Sequence, residues 1–206
     1  MARVTRGVGR ASGYLARPTR TPYEPDPAHR LTEGSFMDSD IAALLDPERQ
    51  FLGCLMQLPL GPVRRLMAGM CACDLADPTA AAVLQLTIEL LADGQPPAPV
   101  ALYTHAVATG RAVGDTRRRH LALWIVDTYR DAPPAVTADH LKTVVLEAAW
   151  RRAVTLHALR VLQSVEQCPT DVLREITEDT TAADDLWIRY RTEIDTTGAS
   201  RLGAVA

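Results

Sequence analysis

The feature that most constrains this chain is a pair of long apolar stripes at helical spacing, separated by a short break. Leu141, Val145, Ala148, Thr155, Leu159 and Leu162 recur at near-heptad intervals from about 138 to 167, with Arg152 the one polar residue in the seam. Cys168-Pro169-Thr170 interrupts the run, because proline has no N–H for a continuing helix. Val172, Ile176, Thr180, Ala183, Trp187, Tyr190 and Ile194 then mark a second stripe. That spacing keeps each set on one helix face. Two long helices joined by a tight turn predict a helical hairpin over 137–195. Leu156, Val161, Leu173 and Leu186 lie off the stripes and predict a second apolar surface. A surface of that kind needs a partner. The expectation is self-association through Val145, Leu159, Ile176, Ala183 and Trp187.

Upstream, residues 39–136 read as a bundle of short helices. Asp46-Pro47 is a cap followed by proline at the first helical position, where a missing N–H costs nothing. Phe51, Leu52, Leu55 and Leu58 follow on one face, and Pro59, Gly61 and Pro62 end the run. Val63, Leu66, Met67 and Met70 mark a second helix. Asp77-Pro78 repeats the cap, with Leu84, Ile88 and Leu91 inward and Gly94 just past the end, where a left-handed residue closes a helix. Pro99 opens a helix carrying Val100, Tyr103 and Val107. Asp115 is the expected cap of the next, which carries Leu121, Trp124, Ile125 and Thr128 inward. Pro133-Pro134 stops it, and Thr137 is the expected cap of the first hairpin helix. No strand pattern emerges, and alanine and leucine dominate an apolar fraction of 47% with only 5% aromatic residues. The fold class expected is all-α.

The net charge of −3 hides a basic N-terminal segment. Residues 1–36 hold six arginines against Glu24, Asp26 and Glu33, among Gly, Pro, Ser and Thr without period. Residues 1–38 therefore predict a disordered tail able to touch phosphates, or one that is simply solvated. Met37 is an alternative start. Residues 196–206 predict a flexible tail. No apolar run reaches membrane-spanning length and no secretory h-region is present, so a cytoplasmic protein is expected.

Cys54, Cys71, Cys73 and Cys168 sit in or beside apolar helical patterns and read as free thiols. Cys71-Ala-Cys73 lacks the second Cys/His pair that a zinc site needs. His29, His105, His120, His140 and His157 stand apart from any nucleophile. Glu48, Glu89 and Glu147 read as solvated helix faces. No metal, cofactor or catalytic constellation is expected.

Three blocks, taken together in order, resemble a known family. "DPERQFLGCLM" is similar to the opening helix of the N-terminal domain of DnaB-type replicative DNA helicases. "CDLADPTAAAVLQLTIELLADGQPPAPVAL" resembles that domain's second block, and "ATGRAVGDTRRRHLALWIVDTYRDAPPAVTADHLKTVVLEAAWRRAV" its third, through the long helix and Arg-Arg. The resemblance runs from about Asp46 to about Asp185. It departs at Ala80 and Leu84, where the family often has His and Phe, at Ala98, and at the Arg117-Arg118-Arg119 run. It implies a head-and-hairpin fold, ring-collar self-assembly, surfaces for primase and loaders, and a role in DNA replication or its regulation. The family's motor needs a glycine-rich phosphate loop ending in Gly-Lys-Ser/Thr. The only lysine, Lys142, lies in "HLKTVV" with no preceding glycines. A free-standing, non-enzymatic interaction domain is the expectation, with itself, a replicative helicase or primase as partner and weak nucleic-acid contact. The alternative is a DNA-binding regulator using Arg117, Arg118 and Arg119 with the arginine tail. Arg151 and Arg152 are expected to pair with Glu178 and Asp179 or to meet a partner.

Overall fold

A computed structural model describes residues 45–203, with side chains described through 196. The expected 1–38 tail and the end of the 196–206 segment lie outside these residues. The described residues are helical with no strand among them. Helix α1 (Pro47–Gln57) is the centre of the head. Phe51, Leu52, Gly53, Cys54, Leu55 and Met56 are all buried, so α1 is covered on all sides rather than along the single stripe expected. It packs on α3 (Pro78–Ala92), α5 (Asp115–Arg130) and α6 (Ala138–Ser164). Short α2 (Leu60–Met67) and α4 (Pro99–Ala108) complete the head.

Local chemistry explains the boundaries. The Asp46 side chain accepts the Glu48 N–H at 3.1 Å, and Asp77 accepts the Ala80 N–H at 2.7 Å. Both expected caps are present. Gly94, at φ 74°, closes α3 as expected while the Gln95 N–H reaches the Leu90 carbonyl at 2.8 Å. Gly53 serves a different need. A Cβ there would lie 2.6 Å from the Thr128 carbonyl oxygen and 2.5 Å from the Ala132 Cβ. Only glycine lets α1 and the end of α5 approach this closely. Arg49 reinforces the same seam, donating to the Thr128 hydroxyl at 3.1 Å and pairing with Asp131 at 3.3 Å.

Several expected details differ. Helix α4 buries Leu102 and Ala106, with Tyr103 and Val107 at the edge and Val100 exposed. Helix α4 packs on both α3 and α5, and that packing sets its rotation. Gly114, not Asp115, is the N-cap of α5. Thr137 stands at the N-cap of the long helix as expected but makes no side-chain cap bond; its hydroxyl donates back to the Pro134 carbonyl at 2.8 Å. The first limb of the hairpin is α6, and the return limb is two helices, α7 (Thr170–Glu178) and α8 (Thr181–Gly203). Asp179, at ψ 78°, leaves the helical region, and the Thr180 carbonyl restarts the ladder by accepting the Asp184 N–H at 2.9 Å. The helix also runs past the expected end at 195. Cys71 and Cys73 form a disulfide rather than free thiols, and Cys73 is exposed. Cys54 is a free buried thiol donating to the Pro133 carbonyl at 3.5 Å, and burial raises its pKa.

Candidate interaction site

The hairpin docks on the head through its lower half and projects beyond it with its upper half. Ala138, Leu141, Val145, Leu146 and Ala149 of α6 are buried in the head. Above Ala149, α6 continues through Ser164 with no fully buried residue. At 1.5 Å per residue, roughly 20 Å of helix stands clear of the core. Against it lies α8, the most extensively packed partner of α6. Trp187 of α8 tilts against Trp150 of α6 with ring centroids 4.9 Å apart and against Tyr190 at 5.7 Å. Tilted aromatic pairs at these distances are favourable beyond their burial.

A polar clamp holds the foot of the hairpin. Asp74, 1% exposed, takes a two-pronged pair from Arg189 of α8 at 2.8 and 2.9 Å. Arg189 also donates to the Gly69 carbonyl at 2.8 Å. Lys142 is buried and pairs with Glu193 of α8 at 2.6 Å while donating to the Ala68 carbonyl at 3.2 Å. Glu48 is not the solvated glutamate expected. It is buried and accepts the Ala76 and Asp77 N–H groups at 2.8 and 3.1 Å. Arg152 meets the Glu48 carboxylate at 3.1 Å and the Asp74 carbonyl. Each buried charge thus has an opposite charge and backbone partners, the condition under which burial is tolerated. Arg189, Glu48 and Arg152 all grip the loop from Gly69 to Asp77, and Lys142 holds the Ala68 carbonyl just before it. Cys71, Cys73 and Asp74 bring three ligand-type atoms within 4.8 Å of one another. The disulfide uses both sulfurs and Arg189 both carboxylate oxygens, so the cluster serves the clamp.

The proposed interface residues separate by height along the hairpin. Val145 is 0% exposed and belongs to the head's own core, which leaves it nothing to offer a second molecule. Ile176 and Ala183 are half-buried between the limbs. Leu159 and Trp187 are exposed at 47% and 41%. Around them Leu156, Leu162, Val165, Val172 and Ile188 are also exposed. Both limbs therefore present apolar side chains outward.

The arginines divide differently from the expectation. Arg151 pairs with Glu147 on its own helix at 2.7 Å, and Arg152 with Glu48. The acids named for them are taken by others: Arg160 lies 3.7 Å from Asp179, and Arg174 lies 2.8 Å from Glu178. Arg118 turns inward to the Ala112 carbonyl at 3.1 Å, while Arg117 and Arg119 stay exposed. Glu89, expected to be solvated, is half-buried and gathers Gln85 at 3.0 Å, His105 at 3.0 Å and Arg111. The Gln85 amide, then His105 and Arg111, lower its pKa. Sequence reasoning missed Asp74, Arg189 and Glu193. Their one signal is an Asp after a Cys-x-Cys loop and an Arg on a helix face, neither of which names its partner. No described helix is long and apolar enough to cross a membrane.

No family model and no curated protein matches the chain. The architecture does match a solved structure, the N-terminal domain of DnaB helicase from Mycobacterium tuberculosis. The superposition has a TM-score of 0.56 at 19% identity and covers 73% of this chain and 94% of that one. Nearly the whole of that domain thus finds a counterpart here, at low sequence identity. This all-α chain has the fold of the DnaB helicase N-terminal domain.

Proposed function

We propose that this protein is a non-catalytic interaction and self-association module acting in or on DNA replication. The supporting observation is the upper hairpin, where Leu156, Leu159, Leu162 and Val165 on one limb and Val172, Trp187 and Ile188 on the other are exposed together. Those side chains exceed what two limbs can hide in each other, and contiguous exposed apolar surface marks an association site. A second copy fits because a two-fold contact matches a hairpin's apolar face to itself. The likeness of fold supports contacts with a replicative helicase or primase.

Light scattering tests the first part. The wild-type chain is expected to be a dimer or larger. Leu159→Asp puts an unpaired charge in the contact and releases monomer, with little effect on a monomer in which that residue is exposed. A wild-type chain that remains monomeric at high concentration overturns the reading. Partner capture tests the second, with the host's helicase and primase offered to the full chain and to a chain starting at Met37. Both forms are expected to bind, and neither to hydrolyse ATP or unwind a fork. If neither form binds while the full chain holds bare duplex at physiological salt, the DNA-binding alternative replaces this one.

A further inference from the structure

A second surface lies on the head, away from the hairpin. Thr79, Ala82 and Leu86 of α3 face Arg117, His120 and Leu121 of α5 across a cavity of about 410 Å³, closed at one side by Arg111 and Ala112. The spacing on each helix is one face: i, i+3, i+7 on α3 and i, i+3, i+4 on α5. The floor is apolar (Ala82, Leu86, Ala112, Leu121) and the rim is cationic. Arg111 is already committed to Glu89. Arg117 and His120 make no ion pair or side-chain hydrogen bond with any described residue. Both sit in the first two turns of α5, and Arg117, in the first turn, is a cation that opposes the helix dipole. The fold thus leaves an unpaired arginine, with His120 one turn on, beside a hollow of side-chain size. Asp77 already fills the α3 cap by accepting the Ala80 N–H, so no free helix end is needed to explain what the hollow selects.

The geometry points to a docking site for an acidic, apolar segment of a partner protein, with a carboxylate between Arg117 and His120 and the adjoining apolar side chain on the Ala82–Leu121 floor. Charge complementarity selects the acid, and the floor selects a side chain that a phosphodiester backbone does not carry. Arg118, turned in to Ala112, is withdrawn from the run of three that a phosphate-binding strip would use. This proposal is independent of hairpin self-association.

The test titrates the isotope-labelled full chain with a capped peptide alternating Asp and Leu, a Lys–Leu peptide, an Asp–Ser peptide and a short DNA duplex. Expected are shifts of the Thr79, Ala82, Ala112, Arg117 and Leu121 amides with the Asp–Leu peptide alone, weakening as salt is raised. Arg117→Glu should weaken binding by about tenfold or more, since it turns a charge-assisted contact into repulsion. Ala82→Met fills the floor without changing charge, at an exposed position that does not threaten folding, and should weaken it too. Unmoved cavity amides overturn the proposal. So does equal binding of the Asp–Ser peptide, which would leave charge alone, or stronger shifts of the same amides with duplex.

Discussion

Replacing Arg189 with methionine removes the charge from the clamp while keeping most of the side chain's length. The wild-type pair has both carboxylate oxygens of Asp74 within 2.9 Å of guanidinium nitrogens. At an effective dielectric of about 20, a Coulomb attraction at that distance is roughly 6 kcal/mol before desolvation is subtracted. Breaking a buried pair by deleting one partner typically costs about 3–5 kcal/mol. Arg189 is 28% exposed on its side chain, so water screens it and the lower end applies, about 3 kcal/mol. What remains for Asp74 is one backbone N–H, from Cys71 at 2.8 Å. Urea unfolding should show the loss as a lowered midpoint. A second readout is local. Trp187 lies two residues from Arg189 and against Trp150, so a loosened α8 should change tryptophan emission before global unfolding. Asp74→Asn in the same background should recover part of the loss, because a neutral amide costs less to leave buried. A midpoint shift under about 0.5 kcal/mol, the level of an exposed pair, or an Asp74→Asn, Arg189→Met double variant no better than Arg189→Met alone, would refute the clamp.

The other predictions concern the head. Gly53→Ala should destabilise by about 2–3 kcal/mol, the upper range for overpacking, because one of the two contacts it creates is with the fixed Thr128 carbonyl; thermal melting of the pair of proteins checks it. Asp77→Ala should cost about 1 kcal/mol through the lost α3 cap, read from denaturant midpoints, with a serine replacement restoring most of it. The Glu89 carboxyl is lowered from its ordinary 4.5 by Gln85 first and then His105 and Arg111. Its contribution is therefore fully present above pH 4.5 and lost as pH falls through the lower folded value. Glu89→Gln should weaken the protein at neutral pH and flatten the acid limb of its stability profile. An unchanged acid limb in the variant contradicts the network. Asp46, whose pKa burial raises, acts in the opposite direction and is common to both proteins, so the comparison cancels it.

The helix starts and stops were legible in the sequence because their chemistry is local. Asp46, Asp77 and Gly94 act on groups within a few residues of themselves, whatever the rest of the chain does. The hairpin was legible for a similar reason, since a repeated apolar spacing and one proline determine a helix and a break. Periodicity cannot say how far up a stripe the head reaches. Val145 and Leu159 occupy equivalent positions of one seam, yet the first is enclosed by the head and the second stands above it. Only the docking height of α6 on α1 separates them. Nor does sequence assign partners to charges. Glu48 and Glu147 look alike on their helices, but Glu48 faces the loop carrying Ala76 and Asp77 while Glu147 faces solvent and Arg151. Arg152 and Arg189 find their carboxylates 104 and 115 residues away along the chain. The cavity beside Arg117 and His120 arises the same way, from two helix faces that meet only after α4 has brought them together. Spacing along the chain determines which side chains share a face. What that face meets is decided by burial and charge pairing between segments, and those exist only once the helices have packed.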